Sequence, residues 1–195
     1  MIEAAYRSVT VEIQIVVGMQ LGFKFSFLAV ALGGLAWLML AILPTAAQTT
    51  KTGASGLPVP RFVSLKSDRV NVRLGPSRDH EIGWIFVRTG LPVEVIQEFE
   101  NWRRIRDSEG AEGWVFHSLL SGRRTALVTP WQEGVSSAVR TDADAQSRVT
   151  ALLEPKVLAT VSECAGNWCK VSGKGWSGWI EQAKLWGVYK AESFD

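Results

Sequence analysis

The chain of 195 residues is poor in the side chains on which most metal and nucleophilic chemistry depends. It has two cysteines, Cys164 and Cys169, and two histidines, His80 and His117. The cysteine spacing, with no histidine nearby, is not that of a zinc site. A thiolate nucleophile needs a histidine beside it, and both histidines lie far from the cysteines in the chain. No nucleophile elbow of a serine hydrolase is present. Asp107 with Glu109, and Glu109 with Glu112, form carboxylate pairs only within what reads as an ordinary polar turn. The expectation is a protein without catalytic residues, metal or cofactor. An excess of one charge is also missing: 21 Lys plus Arg stand against 19 Asp plus Glu. Phosphate backbones call for a concentrated basic surface, so nucleic acid is not an expected partner. Tyrosine is reduced to Tyr6 and Tyr189, and no long segment has a clear helical period.

What the chain does have is one apolar block and many tryptophans. Residues 25–43 are almost unbroken in apolar or small side chains, with Lys24 before them and Pro44-Thr45-Ala46-Ala47 after them. This is the basic, apolar, small-residue order of a secretory signal. Thr45 and Ala47 supply the small residues of a cleavage site, so residues 1–47 are expected to be removed by a cut between Ala47 and Gln48. Met19, which opens a cleaner signal than the Glu3- and Glu12-bearing stretch before it, is the alternative start. The rival reading is an uncleaved membrane anchor, since the block approaches the ~20 residues that span a bilayer. Either way the remainder lies outside the cytoplasm, with the periplasm the expected location. There two cysteines five positions apart read as a disulfide. Ala165-Gly166-Asn167 supplies turn residues, and a hairpin with a four-residue loop would set Cys164 opposite Cys169.

Residues 48–60 are rich in Thr, Gly, Ser and Pro and read as a flexible linker. Short β-type runs follow, around Val70-Asn71-Val72, Ile82 to Val87, Leu91 to Phe99, Trp102 to Arg106 and Trp114-Val115-Phe116. Turn residues separate them, as in a small barrel or sandwich. The same order of features then returns about 66 residues later. Val72-Arg73 corresponds to Val139-Arg140, Ile82 to Val149, and Val95 to Val161. Asn101-Trp102-Arg103-Arg104-Ile105 corresponds to Asn167-Trp168-Cys169-Lys170-Val171, Gly113-Trp114-Val115 to Gly178-Trp179-Ile180, and Leu120 to Leu185. This is an internal duplication. It predicts two domains, at residues 61–122 and 123–195.

The run Val70-Asn71-Val72-Arg73-Leu74-Gly75-Pro76-Ser77, the closing Gly113-Trp114-Val115 and the Asn101-Trp102 turn resemble the bacterial SH3-like (SH3b) domain. The second copy opens with Ala138-Val139-Arg140-Thr141-Asp142 and has lost the Gly-Pro turn, but keeps Gly178-Trp179-Ile180. The resemblance implies an all-β chain: two small SH3-like β-barrels in tandem after an N-terminal signal peptide. Gly75 and Pro76 are expected to make a tight turn. Gly113 and Gly178 are expected to let a strand approach its neighbour, and Trp114 and Trp179 to fill the two cores.

The resemblance also implies binding rather than catalysis, with cell-wall peptidoglycan or an envelope protein as the partner. The alternative is an accessory subunit that docks on an envelope protein complex without touching the wall. The only membrane contact expected is through an uncleaved N-terminal segment. Trp84 and Trp102, with Arg104 and Arg106 nearby for carboxylates, are the candidate ligand-binding residues. The plainer alternative is that the tryptophans cover the barrels and the interface between them, and that the arginines are a solvated strand edge.

Overall fold

The computed structural model describes residues 51–194. The expected signal segment, its Ala47–Gln48 cleavage site and Met19 lie outside the described residues. Among the described residues no helix is long and apolar enough to cross a membrane. Among the described residues the regular structure is β throughout, apart from two single 3₁₀ turns.

The first copy is one antiparallel sheet curled into a small barrel. Its strands are β3 (Arg61–Leu65), β4 (Val70–Arg73), β5 (Ile82–Phe86), β6 (Pro92–Phe99), β7 (Trp102–Arg106), β8 (Glu112–Phe116) and β9 (Leu120–Ser121). The second copy has β10 (Thr125–Val128), β11 (Ser137–Arg140), β12 (Val149–Leu153), β13 (Leu158–Ala165), β14 (Trp168–Gly173), β15 (Trp176–Glu181) and β16 (Leu185–Trp186). The spatial orders are β5-β4-β8-β7-β6-β3-β9 and β12-β11-β15-β14-β13-β10-β16. Strand for strand these are the same path. Even the irregularities repeat. A bulge between Val72 and Arg73 matches one between Val139 and Arg140, and a second between Val95 and Gln97 matches one between Val161 and Glu163. The duplication read in the sequence is therefore a duplication of register.

Alternation explains how such short strands make a core. In β4, Val70 and Val72 are buried while Asn71 and Arg73 are only partly covered. They join Leu65, Val93, Val95, Ile105 and Val115 in the first core. The second core contains Val128, Val139, Leu153, Val161, Val171 and Ile180, together with both cysteines. Gly113 shares the inward face of β8 with Val115, and a side chain there would collide with Val72. A side chain at Gly178 would collide with the Arg140 carbonyl.

Three expectations are corrected here. Trp114 is buried and Trp179 half-buried, but neither joins the packed core clusters. Alternation puts them on the opposite sheet face from Val115 and Ile180, where Trp114 pairs with Arg73 and Arg104, and Trp179 with Arg140 and Lys170. Residues 51–59 are not a loose linker. They form a ribbon of β1 (Lys51–Thr52) and β2 (Pro58–Val59), held because the Ser55 amide and hydroxyl each donate to Glu98 at 2.7 Å. Gly75 is not in the left-handed region. A side chain there would displace the His80 ring, which packs against it.

The two barrels form one compact unit. Phe62 meets Trp186 edge-on at 5.2 Å and Tyr189 at 4.7 Å. The Tyr189 hydroxyl donates to Glu94 of the first barrel at 3.0 Å, and burial with the adjacent Glu94 charge pushes its ionisation well above the usual tyrosine range. Thr125 Oγ1 donates to the Gly90 carbonyl at 2.7 Å. The tail after β16 folds back over the second barrel, where Phe194 bonds to Cys164 through both backbone groups and Glu192 pairs with Arg124 at 2.7 Å.

Candidate functional site

On β7 the residues alternate between Ile105 in the core and Trp102, Arg104 and Arg106 on the opposite face. Across from them on β8 stand Phe116, Trp114 and Glu112. Trp102 meets Phe116 edge-on at 5.4 Å. This aromatic pair floors a groove of about 260 Å³ whose other walls are Asn71, Arg73, Arg78, Ser118 and Leu119.

Three elements position these side chains. Strand β4 supplies Asn71 and Arg73 because Val70 and Val72 take the core-facing positions. The loop of residues 74–81 closes with the Leu74 amide on the Glu81 carbonyl at 3.0 Å. It is fastened by Arg73, whose Nη1 donates to the His80 carbonyl at 2.6 Å. That loop carries Arg78 over the Phe116 ring, 5.8 Å from its centre. The 3₁₀ turn His117–Leu119 follows Phe116, is anchored by the His117 amide on the Asn101 carbonyl at 2.9 Å, and brings Ser118 and Leu119 to the rim.

The electrostatics of this groove are one-sided. It is lined by two arginines and no carboxylate. Among the described residues neither Arg73 nor Arg78 forms an ion pair.

The four residues expected to bind ligand are not brought together. Trp102 does floor the groove, although at 8% exposure it is a buried wall rather than an open platform at the rim. Trp84 packs against the first core and lines a separate cleft of about 370 Å³, together with Leu91, Pro92 and, from the second copy, Leu127 and Lys156. Arg104 is held by Glu112 at 2.9 Å, and Arg106 is shared between Glu94 and Glu112 at 3.3 and 3.6 Å. Their charge is met within the protein. Arg73, Arg78 and Phe116 take the places expected for them. The signal for Arg73 lay in the alternation Val70-Asn71-Val72-Arg73, which turns Asn71 and Arg73 away from the core together. Nothing local marks Arg78, because a loop folded over β8 brings it there.

The second barrel has no equivalent groove chemistry. Register pairs Trp168 with Glu181 where Trp102 pairs with Phe116. The counterparts of Asn71, Arg78 and Ser118 are Ala138, Ala145 and Ala183, and only Arg140 keeps the role of Arg73 by donating to the Ser147 carbonyl at 2.6 Å. Among the described residues no cluster of His, Cys, Asp or Glu is arranged to hold a metal ion.

Among curated proteins none is significantly similar to this chain. Solved structures with similarity include the NlpC2 and NlpC1 proteins of Trichomonas vaginalis, each 10% identical with a TM-score of 0.30. The matches cover 68% and 76% of this chain, which spans about half the length of those proteins, 49% and 52%. The bacterial SH3 domain family matches twice, over residues 66–122 and 133–187. Those two segments coincide with the two sheets that repeat each other strand for strand, and the chain belongs to the bacterial SH3 domain family.

Proposed function

We propose that this is a non-catalytic, exported binding protein whose first barrel recognises peptidoglycan or a peptide-bearing envelope protein. The observation that carries this reading is the groove over Trp102 and Phe116, cationic and aromatic in the first copy and dismantled in the second. An aromatic floor offers a large apolar contact at low entropy cost, and unpaired arginines offer directional hydrogen bonds to anionic groups. The second barrel then acts as a rigid partner, joined through Phe62, Trp186 and Tyr189. The apolar block and small-residue cleavage site of the sequence support export.

The test is co-sedimentation of the purified protein with isolated peptidoglycan at low and high salt. Binding is expected, weakened about tenfold by Arg78→Ala and reduced at high salt. Arg78 is exposed and makes no ion pair among the described residues, so its removal leaves the fold intact. Absence of co-sedimentation at either salt would sink the wall-binding half of the proposal.

The reading of an accessory subunit has one specific observation in its favour. The loop between β10 and β11 is longer than its counterpart at residues 66–69 and exposes Trp131 at 55% and Val135 at 58%. Cross-linking from Trp131 in cells distinguishes the two, because a docking subunit yields one defined protein adduct there.

A further inference from the structure

We infer that the groove of the first barrel selects a short peptide end bearing a free carboxylate, an inference that rests on the groove being the binding site. The charge balance is the first argument. Arg104 and Arg106 share this sheet face but are tied to Glu112 and Glu94. Arg73 and Arg78 line the groove, and no carboxylate lines it with them. A bound carboxylate supplies the missing acid.

Geometry is the second argument. The Arg73 guanidinium is already oriented by its bond to the His80 carbonyl, which uses one of its five donors. Arg78 is seated over Phe116. Two pre-oriented guanidinium forks beside flat aromatic walls suit a planar, bidentate acceptor. Asn71 and Ser118 on the same walls carry the donors and acceptors that a peptide amide needs. The volume limits the rest. About 260 Å³ lies below the ~300 Å³ at which pockets begin to hold drug-sized ligands. It has room for a terminal carboxyl and small side chains.

The second copy supplies an internal contrast. Glu181 occupies the place of Phe116 and Ala145 that of Arg78. A carboxylate there would meet a like charge and lose one of its two cations, so the preference belongs to the first barrel alone.

The test is calorimetric titration of the intact protein with N-acetyl-alanyl-alanine, its C-terminal amide, and inorganic phosphate. The free acid is expected to bind at least tenfold more tightly than the amide. Arg78→Ala should remove most of that difference. Phosphate should compete poorly. Equal binding of acid and amide would overturn the carboxylate preference and leave the groove reading standing. Phosphate competing as well as the free acid would overturn it in favour of a general anion site. No binding of the free acid would overturn it too, and the groove reading would then rest on co-sedimentation with the wall.

Discussion

The two barrels follow one path and hold their longest hairpin by two different chemistries. At the β6–β7 hairpin of the first, Glu98 faces Arg103; at the β13–β14 hairpin of the second, the same register position is Cys164 facing Cys169, joined as a disulfide. Each solution also recruits a segment flanking its barrel. The ribbon of residues 51–59 closes over Glu98, while the C-terminal tail pairs with Cys164 through Phe194. In the second barrel the Phe194 bridge also caps the stretch of β13 beyond its pairing with β10, which removes an open template for unwanted strand pairing. The copy that looks more degenerate in sequence is not the poorer in its core: twelve buried residues cluster in the second barrel against seven in the first. Its losses are confined to the groove face. Duplication has kept register and core, and has let stapling and surface chemistry diverge.

Breaking the staple of the first barrel should have the largest effect. The Glu98 side chain is 1% exposed and contacts Arg61 at 2.7 Å and Arg103 at 3.1 Å. Burial alone would raise its ionisation, but the Ser55 amide and hydroxyl and the two guanidinium groups outweigh it and hold the carboxyl at about 2 instead of 4.5. Glu98→Ala leaves the buried Arg103 and the half-buried Arg61 without their acid and is expected to cost about 3 kcal/mol, read from chemical denaturation. Because the folded value is the lower one, this stability is fully present above about pH 4.5 and is lost as pH falls toward 2. Glu98→Gln should flatten that part of the stability–pH curve. A wild-type curve already flat there would contradict the assignment.

The disulfide should matter less. Its cysteines are only five positions apart, so the loop closed in the unfolded chain is short, and replacing both by Ala is expected to cost about 2 kcal/mol. A loss larger than that of Glu98→Ala would reverse the ranking of the two staples.

A graft sharpens the functional contrast. Ala145→Arg with Glu181→Phe rebuilds the cation and the aromatic wall on the second barrel and should add a second, weaker site in wall-binding stoichiometry. An unchanged stoichiometry would show that the groove needs more than these residues.

The smallest effect concerns the hairpin turns. Glu100 adopts φ 46° where the second copy has Gly166 at φ 60°. Glycine takes such angles without penalty, so Glu100→Gly is expected to raise stability by about 0.5–1 kcal/mol. The thermal midpoint is the measurement, and a decrease would contradict the turn argument.

Much of the fold could be read from the sequence because alternation and glycine spacing are local. Val70, Val72, Gly113 and Val115 declare the inner face, and their repetition at Val139, Gly178 and Ile180 declares the second barrel. The disulfide was legible for the same reason, although its turn is tighter than the four-residue loop expected, since Ala165 and Trp168 already pair. What was not legible depends on contacts distant in sequence. The ribbon of residues 51–59 has a linker's composition and is tied to the barrel through Glu98, 43 positions after Ser55. Trp114 has the size of a core residue, and only the inward turn of Gly113 and Val115 shows that it faces the other way. Arg104 and Arg106 attract notice as a charge cluster, yet their partners Glu94 and Glu112 lie on other strands. Tyr189 lies outside every strand and still joins the barrels.

The central claim is that the first barrel's groove, and not its counterpart on the second, takes the ligand. The most direct measurement follows the tryptophan indole N–H signals by NMR while soluble peptidoglycan fragments are added to the purified protein. The account predicts that the Trp102 signal moves in a saturable way while that of Trp168 stays in place. Movement of Trp168 or Trp84 with Trp102 unmoved would contradict it.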